Sequence, residues 1–331
     1  MRFSEKDFLD CVDVINGKNY DYGNDVLYRN CGFDCLPVPG ASPIDTKLSS
    51  VIWLIGKSYS ADPTRSAPKN TFSNNGLGSS FETIANGVYS LSEYTGFYEE
   101  LKSLTKEKYD YDYGKDQKLL ERTVLLLDKL NWMMKKAMKT IAEEKGNNDS
   151  KIDNVVSFCS KFLHFMCPHL FFIIDSISLS GGAALFANTK GRRLDVSDIN
   201  PSTYIEIDTA KAFMKEQYQD VSPQSLDSSG LNGATKTYCV HCLRAYRLAC
   251  FLNANGKKCE PQITGDPDSC YMPRLVDAIL MRITKTLQNE YRSNLWKRKV
   301  TVLYFSRRWP KYIPSMKSRR PLRAVFLPVL A

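Results

Sequence analysis

The feature that most constrains the fold is a long stretch of helical periodicity between residues 115 and 146. Its apolar side chains recur at intervals of three and four, with Lys and Glu on the opposite face. The apolar face is predicted to carry Leu120, Val124, Leu127, Met134, Met138 and Ile141. A strand needs alternation with a period of two, so this stretch predicts a long amphipathic helix ending at Gly146.

The same periodicity recurs along the chain, whereas strand-like alternation is scarce. Shorter helices are predicted at 4–15, 43–56, 81–88, 92–104, 208–219, 237–253 and 273–289. The second of these is expected to bury Leu48, Val51, Ile52 and Ile55. A Gly-, Asn-, Cys- and Pro-rich stretch ending at Ser42 predicts a loop. The fold class expected from these patterns is mainly α.

The composition and charge pattern suggest three parts. Residues 1–42 are expected to form an N-terminal helix and loop, residues 43–290 a helical core, and residues 291–331 a basic extension. From Arg282 to Arg323 there are thirteen Lys or Arg and one acid, Glu290. Such a segment attracts phosphate polyanions, although a solvated tail that only improves solubility explains it as well.

The chain carries no sign of export or of membrane insertion. No run of 18 or more apolar residues occurs, and the first residues contain acids where a signal peptide needs an apolar centre. The 10 cysteines are expected to be reduced thiols, because no secretory signal places the chain in an oxidising compartment. A soluble cytoplasmic protein is therefore expected.

A second helix with an unusual polar stripe follows the long one. Residues 153–166 predict a helix that Asp153 caps and Pro168 ends. Its polar side chains, spaced to share one face, are Asn154, Ser157, Ser160, Lys161 and His164. Desolvation among apolar neighbours would lower the pKa of the Lys161 amine and make it nucleophilic. The alternative is a lysine at the helix edge whose charge reaches solvent.

Asp175 lies fourteen residues after Lys161, at the end of an apolar stretch and before another predicted helix. A carboxylate at this position caps the helix through backbone N–H groups. The same fixed carboxylate is suited to stabilising a developing positive charge. The sequence leaves both roles open, and they are compatible.

These residues resemble the helix-hairpin-helix DNA glycosylases, a family that includes endonuclease III and 8-oxoguanine DNA glycosylases. In lyase-active members a lysine early in the second hairpin helix is followed, after an apolar helix and a loop, by an aspartate. Ser160-Lys161, Pro168 and Ile174-Asp175-Ser176 match that arrangement in order, over about 30 residues. The usual Leu-Pro-Gly-Val-Gly hairpin is absent, and the stretch 146–150 takes its place. The segment is also similar to archaeal 8-oxoguanine glycosylases and bacterial anti-phage glycosylases.

The resemblance implies two helical subdomains with an active site between them and a helix-hairpin-helix at about 115–166. It implies that Lys161 attacks C1′ of a flipped nucleotide while Asp175 stabilises the transition state. A Schiff base and β-elimination then follow, giving AP-lyase activity. The implied partner is double-stranded DNA with a damaged or modified base, such as glucosylated hydroxymethylcytosine in antiviral defence. The protein is expected to act as a monomer at a bacterial or archaeal nucleoid.

A flipped base needs aromatic stacking and a few polar groups. The candidates for this role are Trp53, Tyr59, Ser157, His164, Ser176 and Ser180. Each of the aromatic candidates is as well explained as a core residue.

Cofactors and metals are not expected. Cys239 and Cys242 form a C-x-x-C around His241, but their spacing on a predicted helix suits core thiols better than zinc. The C-x6-C-x2-C-x5-C run of an iron–sulfur glycosylase is missing. A phosphate loop with G-x-x-x-x-G-K-[ST] is missing as well.

Two other classes of function remain open from the sequence. In the first, the chain is a non-catalytic helical nucleic-acid-binding module in which Lys161 contacts phosphate and Asp175 only caps a helix. In the second, it is a protein-interaction or toxin–antitoxin component whose basic segment recruits nucleic acid.

Overall fold

A computed structural model describes residues 22–41, 46–67, 71–72, 77–147, 152–153, 155–186, 233–259, 261–263 and 265–285. The chain divides into two units, Met1–Leu287 and Gln288–Ala331, and every described residue belongs to the first. The predicted helices at 4–15 and 208–219 and the basic extension at 291–331 lie outside the described residues.

The described part of the chain is helical, which confirms the mainly α class, and it contains no strand. Its helices are α1 Tyr22–Asn30, α2 Thr46–Ser58, α3 Leu77–Tyr89, α4 Tyr94–Leu104, α5 Tyr113–Glu144, α6 Val156–Met166, α7 Ser176–Phe186, α8 Gly233–Ala254 and α9 at 272–285. Two short 3-10 turns lie at Phe33–Cys35 and Pro63–Ser66. No described helix is long and apolar enough to cross a membrane.

The long helix α5 is the centre of the packing. It contacts α3, α4, α6 and α8, and all six apolar residues predicted for its inner face are buried. Gly146 follows the helix with φ +80°, a left-handed conformation that ends helices and that glycine adopts without strain. The period of 3.6 residues thus predicted both the helix and its buried face.

Helix α1 corrects the sequence analysis, which predicted a loop up to Ser42. Residues Tyr22–Asn30 are helical although Gly, Asn and Asp in this stretch have weak helix propensity. Leu27, Tyr28 and the following Cys31 are buried in the same core as α2. The helix is therefore stabilised by tertiary burial, which local propensity does not report.

The cap predicted for the second hairpin-like helix is also wrong. Helix α6 begins after Val155, and Asp153 is exposed, with its backbone N–H donating to the carbonyl of Ser66. The backbone N–H of Val155 donates instead to Oδ1 of Asn131 on α5, at 3.0 Å. The start of α6 is thus held by a long-range hydrogen bond from α5. A side chain 24 positions away is invisible to local capping rules.

Helices α7 and α9 approach each other very closely at a glycine. A Cβ added to Gly181 would lie 2.3 Å from the backbone carbonyl oxygen of Leu280, a separation that real Cβ atoms do not show. A Cβ added to the neighbouring Gly182 would meet its nearest atom, Nδ1 of His241, at 3.7 Å, which is ordinary contact. The two adjacent glycines therefore differ: only Gly181 is required by the packing.

This contrast predicts opposite results for two matched substitutions. Gly181→Ala is expected to lower the free energy of unfolding by about 1–3 kcal/mol, because backbone must move to admit the methyl group. Gly182→Ala should leave stability unchanged or raise it by up to about 1 kcal/mol through better helix propensity. Urea denaturation of both variants is the measurement, and equal losses would contradict the assigned α7–α9 contact.

Candidate active site

Lys161 lies in the middle of α6 and is buried, with 1% of its surface exposed. Its Nζ donates to Oγ of Ser157 at 2.8 Å and to the carbonyl oxygen of Ile174 at 3.2 Å. The ring of Tyr59 lies below the same amine, 5.7 Å away. Among the described residues, no carboxylate lies within 4.0 Å of Nζ. The alternative in which Lys161 extends its charge into solvent from the helix edge is therefore excluded by its burial.

The burial of Lys161 has an electrostatic consequence. Desolvation lowers the pKa of its amine below the usual value, because the neutral form is easier to bury than the ammonium. The negative charges of Asp175 and Asp277 act in the opposite direction and raise the pKa. The first effect is the larger, so the amine loses its proton more readily than an exposed lysine.

Asp175 is the N-cap of α7, as predicted. Its Oδ1 accepts hydrogen bonds from the backbone N–H groups of Ile177 at 2.9 Å and Ser178 at 2.8 Å. The hydroxyl of Ser178 accepts in return from the backbone N–H of Asp175, at 3.0 Å. This reciprocal pair is a capping box, and it fixes the carboxylate at the positive end of the helix.

The segment between these residues, 170–174, is buried and lies between helices α6 and α7, and we call it the linking segment. No strand among the described residues pairs with it, so its carbonyl groups need other donors. Nδ1 of His164 contacts the carbonyl of Phe171 at 2.7 Å, Tyr238 donates to Phe172 at 3.2 Å, and Nε2 of His241 contacts Ile173 at 2.8 Å. Lys161 donates to the fourth carbonyl, that of Ile174. Side chains of α6 and α8 thus make the hydrogen bonds that a neighbouring strand would make in a sheet.

These contacts determine the tautomers of both histidines. A carbonyl oxygen only accepts, so the ring nitrogen that faces it carries the hydrogen. In His164 the other nitrogen, Nε2, is then an acceptor for the hydroxyl of Tyr28, 2.5 Å away. In His241 the other nitrogen, Nδ1, is a buried acceptor with no hydrogen-bond partner in the described part of the chain. Burial lowers the pKa of His164 to about 3 and that of His241 to about 4.

Sequence reasoning missed a second carboxylate at this site, Asp277 on α9. It is buried and accepts a hydrogen bond from Nη1 of Arg274 at 2.7 Å. Its carboxylate interacts electrostatically with the charged groups of Lys161 and Asp175. The available signal was one acid in the otherwise apolar run at 275–280. Nothing in the sequence shows that this helix lies beside α6.

The structure brings two of the predicted substrate-binding residues to Lys161. Ser157 bonds the amine directly, and half-buried Tyr59 lies under it, also contacting Phe165. Ser160, from the predicted polar stripe, accepts from the backbone N–H of Ile174 at 3.1 Å and so orients the linking segment. These contacts place one end of α2 and one turn of α6 around the amine.

The other candidates are placed differently. His164 is not brought to the amine, because both of its ring nitrogens are bonded to Tyr28 and Phe171 in the core. Trp53 is 44% exposed on α2, and Ser176 is exposed in the first turn of α7. Ser180 is in α7, but its side chain is outside the described set.

The cysteines near His241 are core residues. Cys239 and Cys242 are buried free thiols on α8, and burial raises the pKa of Cys239 to about 11. No group of three or more His, Cys, Asp or Glu side chains that could hold a metal ion occurs among the described residues.

Comparison with known proteins returned no matching family, no matching curated protein and no matching solved structure. The candidate site is therefore defined by its own geometry. It consists of a buried amine of lowered pKa, a carboxylate fixed by a helix N-terminus, and a second buried carboxylate on another helix.

The buried histidines predict acid sensitivity of the fold. As pH falls below 6.5, the unfolded chain binds protons while His164 and His241 stay neutral down to about 3 and 4, so stability is lost. Asp277 acts oppositely, because its pKa is raised to about 6 and the folded state binds that proton first. For these three groups, two losses against one gain leave a net loss of about 1.4 kcal/mol per pH unit between roughly pH 6 and 4. His169, whose pKa burial also lowers, adds to this loss.

Urea denaturation at pH 7, 6 and 5 measures this slope. His241→Gln is the matched variant, since its amide can still donate to Ile173 but takes up no proton in this range. Its slope should be shallower by about 1.4 kcal/mol per pH unit. A wild-type stability that does not change between pH 7 and 5 would contradict the assigned neutral histidines.

Proposed function

We propose that this chain is a DNA N-glycosylase with AP-lyase activity, which excises a damaged or modified base through Lys161. The observation that carries the proposal is the state of Lys161: its amine is buried, bonded to a hydroxyl and to backbone carbonyls, and its pKa is lowered. An amine nucleophile must be neutral to attack a carbon atom, and desolvation favours that form.

Asp175 supports the same chemistry. Breaking the bond between a base and deoxyribose develops positive charge at C1′, which a nearby fixed carboxylate stabilises. The two amide N–H groups of Ile177 and Ser178 hold this carboxylate before any substrate arrives, so no reorganisation is needed. In the proposed mechanism Lys161 attacks C1′ and Asp175 stabilises the oxocarbenium-like transition state.

Access to the amine sets a requirement on the substrate. Lys161 is covered in the free protein, so a nucleotide must be flipped out of the duplex and must displace part of the covering. Tyr59 is the aromatic ring next to the amine, and it is half-buried. We propose that the Tyr59 side chain moves to open access to the Lys161 amine and then stacks on the flipped base. The thirteen basic residues between Arg282 and Arg323 would supply phosphate contacts.

The burial of Lys161 also weighs against a purely DNA-binding role for this residue. A lysine that contacts phosphate must hold its ammonium in solvent, where the DNA backbone lies. The Nζ of Lys161 points instead to Ser157 and Ile174 inside the protein. The resemblance extends the proposed substrates from oxidised purines to bulky phage modifications such as glucosylated hydroxymethylcytosine.

Removal of the nucleophile is the first test of the proposal. With borohydride present, the wild-type protein should form a covalent adduct on a duplex that carries an excisable base, and Lys161→Ala should form none. Lys136→Ala, which removes an exposed lysine on α5, is the control and should react like wild type. The absence of adducts and abasic sites for wild type across oxidised, alkylated and glucosylated bases would sink the proposal.

Asp175→Asn separates the cap from the chemistry. Asparagine is also a good N-cap, so the free energy of unfolding should change by less than about 1 kcal/mol. Loss of the carboxylate charge is expected to slow base excision by about 100-fold or more. Single-turnover excision and thermal melting are measured on the same preparation. Unchanged excision would leave Asp175 as a cap only.

A further inference from the structure

Asp277 is a buried carboxylate whose two oxygens differ in their hydrogen bonding. Its Oδ2 is occupied by the guanidinium of Arg274, one turn earlier on α9, and both side chains are buried. Its Oδ1 is buried and has no hydrogen-bond partner among the residues that the structure describes. An unbonded buried acceptor costs about 1–3 kcal/mol, so packing alone gives no reason to keep it.

The charges around Asp277 come from three helices. Arg274 on α9 bonds it directly, and the charges of Asp175 at the start of α7 and of Lys161 on α6 act on it. Arg274 and Lys161 favour its ionised form, whereas burial and Asp175 disfavour it. In turn, the negative charge of Asp277 favours a positive charge on Lys161. The free oxygen thus belongs to a group that is electrostatically coupled to the reactive amine.

We propose that Asp277 is the counter-ion of the iminium intermediate formed on Lys161, with Oδ1 as the oxygen reserved for it. This inference rests on the proposed function, and it gives the two carboxylates different roles. Asp175 stabilises the charge that develops at C1′ during base loss. Asp277 stabilises the charge that resides on Nζ afterwards.

The step can be written with its atoms and electrons balanced. The neutral amine of Lys161 forms the Nζ–C1′ bond, the bond from C1′ to the base breaks, and the base leaves with its electron pair and a proton from Nζ. The nitrogen lone pair then forms the C1′=Nζ double bond as the C1′–O4′ bond breaks, and O4′ takes a proton from solvent. Nζ is left with one hydrogen and one positive charge, inside the protein. A buried cation of this kind needs a nearby anion.

The burial raises the pKa of Asp277 to about 6, so that the group is an anion at neutral pH. Arg274 holds the carboxylate in one orientation without occupying the second oxygen. A carboxylate that only needed to neutralise Arg274 would satisfy both oxygens more cheaply at a solvent-exposed position.

Asp277→Asn tests the inference through two activities that it should separate. Removing the anion makes Lys161 easier to deprotonate, so excision of an excisable base should fall by no more than about threefold. The iminium loses its counter-ion, so cyanoborohydride trapping on a preformed abasic duplex and β-elimination should both fall by about tenfold or more. Equal losses in excision and in trapping would overturn the inference, because they are the result of a general structural defect.

Asp116→Asn is the matched control, since Asp116 is another buried carboxylate, hydrogen-bonded to Tyr246 on α8 and to the backbone of Tyr111. It should leave the ratio of trapping to excision at the wild-type value. A similar fall of this ratio in both variants would overturn a specific role for Asp277. Circular dichroism melting verifies that each variant is folded.

A titration without DNA tests the coupling independently of the glycosylase proposal. In protein labelled with lysine carrying 13C at the ε carbon, the Lys161 signal, assigned with Lys161→Arg, should show an inflection near pH 6 from Asp277. In Asp277→Asn that inflection should vanish and the pKa of Lys161 should fall. An unchanged Lys161 titration overturns the counter-ion role. The wild-type protein could excise no base from any duplex and still give the expected trapping on abasic DNA and the expected Lys161 titration. In that case the glycosylase proposal fails and the counter-ion role stands.

Discussion

The candidate site depends on how a buried stretch of backbone between two helices satisfies its carbonyl groups. The linking segment 170–174 is buried, no described strand pairs with it, and an unpaired buried carbonyl is costly. Four consecutive carbonyls, from Phe171 to Ile174, are bonded by side chains of α6 and α8. These bonds hold α6, the linking segment and α8 in one arrangement.

This arrangement places Lys161, Asp175 and Asp277, the groups to which the proposed chemistry is assigned. Lys161 is one of the four donors, so the hydrogen bond that supports the backbone also keeps the amine inside the protein. Asp175 follows the last of the four residues and is turned into the N-cap of α7. The close approach of Gly181 to Leu280 then brings α9, and with it Asp277, to the same region. The structural and the proposed chemical roles of these residues are therefore shared.

Local patterns were sufficient for much of the fold and for half of the site. The apolar period predicted α2 to α5, and the isolated Lys161 and Asp175 were conspicuous because each interrupts an apolar run. Local rules were wrong for α1 and for the cap of α6, since both are stabilised by distant residues. They also missed Asp277 and the role of His241, which depend on contacts across 68 to more than 100 positions.

The sequence by itself determined the mainly helical class and the inner face of α5, because periodicity and polarity are local properties of the chain. It also showed Lys161 and Asp175 as candidates, whose roles it left open. Only the tertiary structure decided that Lys161 is buried rather than solvated, that His164 and His241 bond the backbone, and that the charge of a second carboxylate acts on the amine. Burial and electrostatic coupling depend on which helices meet, and that is a property of the whole fold.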